Sequence, residues 1–421
     1  MDLSNATTLS PEAILSAALD VGEGMLRAGG EISRIEDTVE RICRAYGAKR
    51  VDVFCITSVI IASAVMENGQ RSSQLRRIDR TAVDLLALEL YNSLSRRICN
   101  EKPPVSKIRE LISEAKRKRI YPFPLCLTVA ALTAGVLAIS FGGAFRDGLA
   151  AAIIGVVIFL TDRKWAVSFN RSAKIALIAF TGGSLACASV LVGIAESAAS
   201  VMIGTVLLLV PGLAFGTALR NLISGDTLSG MLELIRAIVN AMMIAIGYLL
   251  SMLIFRNTYQ PITAEASEIV RFITLALGVL GFAVIFNIRE RHLLFVLIGG
   301  IGTYLCFYFS TAYGMGILAS TILASGSAAV YSELCARVLR APSVVFLLPC
   351  AIPIVPGKSL YNAASNLLLG NSADALSFMT NAASAGLGIA LGIVFASVAV
   401  SLAVSARSRM LLCRSDTPKK R

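Results

Sequence analysis

The sequence predicts a multi-span α-helical membrane protein with an α+β domain at its N-terminus. Hydrophobic residues make up 56% of the chain and charged residues only 16%. More than half of the charged side chains lie within residues 1–120, and long apolar runs begin near Pro122. A spanning helix needs about 20 apolar residues, and about ten such segments follow. We therefore expect about ten transmembrane helices, arranged as two inverted repeats of five.

Changes in composition divide the chain into four predicted parts. They are a cytosolic α+β domain (the cap domain), two five-helix membrane modules and a basic cytosolic tail, at residues 1–119, 120–257, 258–406 and 407–421. The predicted spans lie near residues 121–141, 148–161, 173–194, 198–220, 231–255, 269–287, 293–310, 313–335, 342–370 and 376–404.

The cap domain has the pattern of helices that flank a small antiparallel sheet. Gly29-Gly30 separates two helical segments within residues 11–46. From Val51 the apolar residues alternate, and Asn68-Gly69 predicts a hairpin turn between two strands. Residues 81–98 return to helical spacing, and a charged helix then leads into the membrane.

The chain has a net charge of +12, and its basic runs flank the apolar segments. This placement is typical of a membrane protein and not of a nucleic-acid-binding protein. The run Lys116–Arg119 precedes the first apolar segment, and the chain ends in Lys419-Lys420-Arg421. Positive residues flank membrane spans on the cytosolic side and attract anionic lipids. We expect a multi-pass protein of the cytoplasmic (inner) membrane with both termini in the cytosol, in contact with membrane lipids and not with nucleic acid.

Histidine and cysteine usage argues against an enzyme. The one histidine, His292, lies outside the cap domain, which excludes histidine-dependent triads and histidine metal sites from residues 1–120. The nine cysteines lack metal-ligand spacing. The sequence therefore predicts no catalytic, cofactor or metal site.

An internal repeat is the strongest functional signal. Val210-Pro211-Gly212 recurs as Val355-Pro356-Gly357, and the offset of 145 residues is kept at Asn221/Asn366 and Gly247/Gly392. Proline removes a backbone donor and breaks a helix, and freed backbone groups at membrane depth need protein or a water-filled cavity. Matching broken helices in two halves indicate the binding site of a secondary transporter.

Five spans in each half have a topological consequence. An odd number of crossings makes the two repeats enter the membrane from opposite sides, so the Pro-Gly breaks would face each other near the midplane. Gly212/Gly216 and Gly388/Gly392 have the small-xxx-small spacing of close helix packing.

The residues around the breaks form the predicted substrate site. A half-helix that begins after a break favours an anion, and a lysine in mid-membrane indicates function. Lys358 has two interpretations, attraction of a substrate carboxylate and snorkelling to the interface, and the asparagines could instead join helices. The predicted substrate-binding residues are Pro211, Gly212, Asn221, Pro356, Gly357, Lys358 and Asn366.

Four carboxylates are candidates for proton coupling, because burial can raise the pKa of a carboxyl towards neutrality. They are Asp226, Glu233, Glu333 and Asp374. All four lie near segment ends, where the alternative is a solvated side chain.

Several motifs resemble those of the threonine/serine exporter family. The stretch from Gly24 to Glu31, followed by Arg34–Thr38, resembles its cytosolic signature. The Pro211-Gly212 segment resembles its first membrane module, and Pro353–Gly357 with Tyr361 resembles its second. The family often has an acidic residue where this chain has Asn221, which weakens a proton carrier at that position.

The resemblance implies export of threonine and serine driven by the proton motive force. Split relatives are associated with export of C4-dicarboxylates such as succinate, which remains an alternative. Lys358, the one strongly intramembrane cation in the sequence, favours a substrate with a single carboxylate. A third hypothesis is a membrane-anchored regulatory protein that acts through the cap domain, although an anchor needs no broken-helix repeat. The oligomeric state stays open, and a homo-oligomer is compatible with the sequence.

Overall fold

The structure, a computed structural model, describes residues 10–79, 83–164, 171–209, 226–255 and 266–415, together with Ala218 and Asn221. The cap domain consists of two helices, three strands and two further helices. These are α1 (Pro11–Arg27), α2 (Ile32–Ala45), β1 (Ala48–Ile56), β2 (Val59–Met66), β3 (Arg71–Arg77), α3 (Leu85–Glu101) and α4 (Val105–Arg117).

The predicted sheet near the N-terminus is confirmed. The strands are antiparallel in the order β1-β2-β3, and the tight turn between β2 and β3 contains Gly69 at φ +81°. Gly29, at φ +85°, lies between α1 and α2. Asp84 begins α3 by accepting a hydrogen bond from the Ala87 N–H at 3.0 Å, as expected of an N-cap.

The remainder of the described chain is helical. Its helices are α5 (Phe123–Ser140), α6 (Phe145–Lys164), α7 (Arg171–Leu191), α8 (Ala198–Val206), α9 (Thr227–Ile254), α10 (Glu268–Ile285), α11 (Glu290–Ala312), α12 (Ile317–Leu339), α13 (Val344–Cys350), α14 (Gly357–Leu368) and α15 (Ser372–Ser415).

Seven helices within the described ranges are long and apolar enough to cross a membrane, or eight spans if a bent pair counts as one. The seven are α5, α7, α9, α10, α11, α12 and α15, and the bent pair runs from Val344 to Leu367. The predicted number of about ten spans is therefore confirmed only in part.

Two predicted spans account for the difference. The predicted span 148–161 lies within α6, which has 20 residues but carries charged side chains at both ends, so its apolar part is short. The predicted span 198–220 begins with α8, a helix of nine residues. Apart from Ala218, its last residues from 210 lie outside the described part of the chain.

The two halves of the membrane region contain corresponding helices. Helices α10, α11 and α15 begin 145 residues after α5, α6 and α9, and α12 and α13 begin 146 residues after α7 and α8. The packing corresponds as well, since α9 packs on α7 and α15 packs on α12. The offset found in the sequence is thus also the offset between structural elements.

Equivalent glycines lie at these two helix contacts. A Cβ atom at Gly247 would lie 2.4 Å from the Ala176 carbonyl oxygen, and one at Gly392 would lie 2.3 Å from the Ile322 carbonyl oxygen. The predicted packing role of Gly388 and Gly392 is confirmed, because each lies against α12. Gly212 and Gly216 lie outside the described residues.

The halves meet through their first helices, α5 and α10. Gly281 lies against Thr133, and Gly278 lies against Leu137. Residue numbers thus rise along α5 as they fall along α10, so these equivalent helices are antiparallel.

Candidate functional site

The second half contains a broken helix where the sequence predicts one. Helix α13 contains Pro349 and ends at Cys350, a 3₁₀ turn covers Ile352–Ile354, and α14 begins at Gly357. The two arms are bent by 45°. At the bend Pro356 has φ −78° and ψ 46°, and the Gly357 N–H donates to the Val355 carbonyl at 2.8 Å. This is an inverse γ-turn, and it bends the chain without continuing the helical hydrogen-bond ladder.

A small cavity of about 80 Å³ lies beside the bend, partly open to its surroundings. Both halves of the membrane region line it. The first half contributes Val206 from α8 and Tyr248 and Met252 from α9, and the second half contributes Gly357 and Tyr361 from α14. The beginning of the half-helix α14 is therefore part of the cavity wall.

Close approach explains the glycine at the start of α14. A Cβ atom at Gly357 would lie 2.7 Å from Cδ2 of Leu207, which follows α8. A side chain at position 357 would therefore require the end of the Leu207 side chain, which is 7% exposed, to move.

The lining is mainly apolar, with two tyrosine hydroxyls. The Tyr248 hydroxyl lies 3.2 Å from the Thr205 hydroxyl, and the Tyr361 hydroxyl lies 3.9 Å from the Met202 sulfur. Sequence reasoning missed Tyr248 as a lining residue. A tyrosine within the apolar stretch of residues 241–250 was the available signal, because a buried phenol needs a polar neighbour.

The predicted substrate-binding residues of the second half lie in different surroundings. Pro356 forms the bend and Gly357 lines the cavity, while Lys358 follows directly and is half-buried. Asn366 lies further along α14 and donates to the Asn362 carbonyl at 2.9 Å, within its own helix. Three of these four candidates are therefore consecutive at the bend.

In the first half, a predicted substrate-binding residue, Asn221, forms a hydrogen bond with a predicted proton carrier, Glu233. The Asn221 side-chain amide donates to Oε2 of Glu233 on α9 at 3.0 Å. Asp226 precedes α9, and its N–H donates to the Asn221 carbonyl at 3.0 Å. Burial raises the pKa of the Asp226 carboxyl. Pro211 and Gly212 lie outside the described residues.

The remaining carboxylate candidates lie in the second half. Glu333 is half-buried near the end of α12. Asp374 is exposed in the first turn of α15, where the helix dipole favours a carboxylate. In the described ranges, no group of three histidine, cysteine, aspartate or glutamate side chains could hold a metal ion.

The apolar helices, the broken span and a cavity shared by two corresponding halves define a membrane transport protein. Residues 16–255 match a family model described as a threonine/serine exporter, and residues 271–399 match a second, described as "Threonine/Serine exporter, ThrE". The chain belongs to the threonine/serine exporter family, with both membrane modules in one polypeptide. Comparisons with curated proteins and with solved structures find no match.

Proposed function

We propose that the protein is a secondary transporter that exports threonine and serine across the cytoplasmic membrane, coupled to protons. The observation that carries this proposal is the cavity at the start of α14, between two halves of a chain that belongs to an exporter family. A cavity at the N-terminus of a half-helix is where a transporter binds a small anionic group.

The substrate's carboxylate would lie at the beginning of α14. The first N–H groups of a helix point away from its own ladder, and the helix dipole adds positive potential there. Lys358, the second residue of α14, adds a charge of the same sign. The apolar wall, with Met252 and Leu360, suits the small side chain of threonine.

Proton coupling would use the Asn221–Glu233 pair. Glu233 lies within α9, and its carboxylate accepts a hydrogen bond from Asn221. A carboxylate in these surroundings can take up a proton and exchange its hydrogen-bond acceptor role for a donor role. Asp226, the residue directly before α9, is the second candidate for the same step.

Alternating access would follow from an inverted repeat. The offsets of 145 or 146 residues between corresponding helices and the antiparallel contact of α5 with α10 support this arrangement. The Tyr121 hydroxyl, just before α5, donates to the Ile288 carbonyl, just after α10, at 2.8 Å. We place this side, where the cap domain also lies, in the cytosol.

Export of a C4-dicarboxylate is the alternative within the same architecture. Two carboxylates would favour two basic contacts, and Lys358 is the basic residue nearest the bend in the described chain. The test is efflux of labelled threonine, serine and succinate from separately loaded proteoliposomes under an imposed pH gradient. We expect threonine and serine to leave and succinate to stay. Efflux of succinate alone would favour the alternative, and efflux of none would reject both.

A further inference from the structure

The cap domain is attached to the second membrane half through α3. The Leu85 N–H donates to the Phe286 carbonyl at 3.0 Å, and the Asn287 side chain donates to the Asp84 carboxylate at 3.0 Å. Further along α3, Arg96 donates to the Arg340 carbonyl at 2.9 Å. These bonds join α3 to the α10–α11 loop and to the segment that leads from α12 to α13.

A buried carboxylate lies at the centre of this contact. Glu89 of α3 is only 4% exposed, yet three basic side chains from the start of α11 surround it. Its carboxylate oxygens lie 3.3 Å from Arg289, 2.8 Å from Arg291 and 3.3 Å from His292. Burial alone would raise the pKa of Glu89, but His292 and the two guanidinium groups outweigh it and lower the pKa below its ordinary value. The carboxylate is therefore ionised at neutral pH.

The same cluster reaches the broken helix. His292 is fully buried and lies edge-on to Phe346 of α13, with 5.2 Å between the ring centroids. Phe346 is fully buried as well. Four residues further along α13, the Cys350 thiol donates to the Val296 carbonyl of α11 at 3.5 Å. Helix α13 is thus held along α11 from the ion cluster up to the bend.

We propose that Glu89 is a positioning residue for transport, which sets the place of α13, and hence of the bend at Pro356, through His292 and Phe346. Through this contact, the cap domain would influence transport directly. The inference rests on the proposed function only in that it takes the bend to be the substrate site.

Positioning of α13 by Glu89 depends on the negative charge of its side chain and not on its volume. Glu89→Gln keeps the size of the side chain but leaves two arginines without their shared anion. Removing one partner of an ion pair is destabilising to the extent that the other charge stays buried, and of the two guanidinium groups Arg289 is the more buried, with 26% of its side chain exposed against 56% for Arg291. Glu101, an exposed glutamate on the same helix that pairs with Arg97 at 2.8 Å, provides the matched control, Glu101→Gln.

The test uses the full-length protein in proteoliposomes, with hydrogen exchange of residues 344–357 read by mass spectrometry beside threonine efflux. We expect Glu89→Gln to speed exchange in this segment and to lower efflux about tenfold or more. Glu101→Gln should change both by less than about twofold. Exchange within α15 should stay unchanged in both variants, which separates displacement of α13 from general unfolding.

Phe346→Leu provides a second variant that leaves the ion cluster intact, and it decides the test if Glu89→Gln does not reach the membrane. It should speed exchange in residues 344–357 while α3 stays protected. Unchanged exchange and efflux in the recovered variants would overturn the inference. Absence of threonine efflux from the wild-type protein would instead count against the proposed function, and the exchange data would still test the role of Glu89.

Discussion

At the scale of single residues, Lys358 is the side chain whose chemistry bears most directly on substrate binding. It follows Gly357 at the start of α14, so its ammonium group and the helix N-terminus add to one positive potential. Its half-buried position is consistent with attraction of a carboxylate and also with a side chain that extends to the interface.

Replacing Lys358 by methionine distinguishes these roles, because it keeps an unbranched, flexible side chain only one atom shorter and removes the charge. A hydrogen bond to a charged group contributes about 1.5–3 kcal/mol, so we expect threonine efflux at limiting substrate to fall by roughly tenfold or more. Membrane insertion should be unchanged, and Lys358→Arg should retain much of the activity. Wild-type efflux by Lys358→Met would remove this residue from the site.

Glu36, also at the residue scale, gives a stability prediction in the cap domain. Burial raises the pKa of its carboxyl, a hydrogen bond from the Cys55 N–H at 2.8 Å opposes this, and the nearby charge of Asp226 adds to the rise. A carboxyl whose pKa is raised on folding stabilises the protein fully when protonated, and that contribution is lost as the pH rises through the raised value.

Glu36→Gln should therefore raise the thermal unfolding temperature of the cap domain in the full-length protein at neutral pH. The amide oxygen can still accept from Cys55, while the energetic cost of ionisation disappears. Below about pH 4, where the unfolded carboxyl is also protonated, the two proteins should unfold at similar temperatures. Glu40→Gln, on the same helix but paired with Arg44, serves as control. A lower unfolding temperature for Glu36→Gln at neutral pH would contradict the assigned environment.

At the scale of elements, two helix pairs depend on glycine at their point of closest approach. Gly392→Ala would place a Cβ atom 2.3 Å from the Ile322 carbonyl oxygen and 2.0 Å from the Ser325 hydroxyl. Helices α12 and α15 would have to separate, and overpacking of this kind costs about 1–3 kcal/mol.

Gly302→Ala is the matched control, because nothing lies within 4 Å of a Cβ atom at that position in α11. Alanine in a helix is favoured over glycine by up to about 1 kcal/mol, so this control should not lower the unfolding temperature in detergent. Gly392→Ala should lower it clearly. Equal unfolding temperatures for the two variants would show that α12 and α15 do not pack closely at Gly392.

The elements that sequence reasoning predicted well are those set by local chemistry. Pro356 breaks its helix because proline has no backbone N–H to donate, and this is true whatever residues surround it. The turn at Asn68-Gly69 forms for a similarly local reason, since Gly69 adopts a positive φ. The apolar stretches predicted helices such as α5 and α10 to within a few residues.

What the sequence could not provide are contacts that depend on the tertiary fold. Glu89 lies 202 residues from Arg291 in the chain, so no local pattern joins them. Asn366 has the residue type for substrate binding, yet its amide bonds within its own helix. The short apolar part of α6 is visible in the sequence. Its length alone does not tell whether α6 crosses the membrane, because neighbouring helices can cover the polar groups at its ends.

At the scale of the whole molecule, the two halves differ in the polar and charged groups that they carry at corresponding positions. The second half has Lys358 directly after the bend, and the first half has the Glu233 carboxylate, which accepts a hydrogen bond from the neutral Asn221 amide. The position that corresponds to Glu233 in the second half, 145 residues further on, is Phe378. The corresponding helices therefore carry different charged groups, and this difference is compatible with the separate anion and proton sites that we propose.

This asymmetry predicts that Glu233 separates proton coupling from substrate binding. Glu233→Gln retains a hydrogen-bond partner for Asn221 but cannot be protonated. In proteoliposomes, exchange of internal for external threonine should persist, because exchange needs no net proton movement, while acceleration of efflux by a pH gradient should be lost. Lys358→Met should instead slow both exchange and efflux, because substrate binding itself is weakened. If Glu233→Gln still responds to the gradient, the proton is carried elsewhere, and Asp226→Asn becomes the variant to measure.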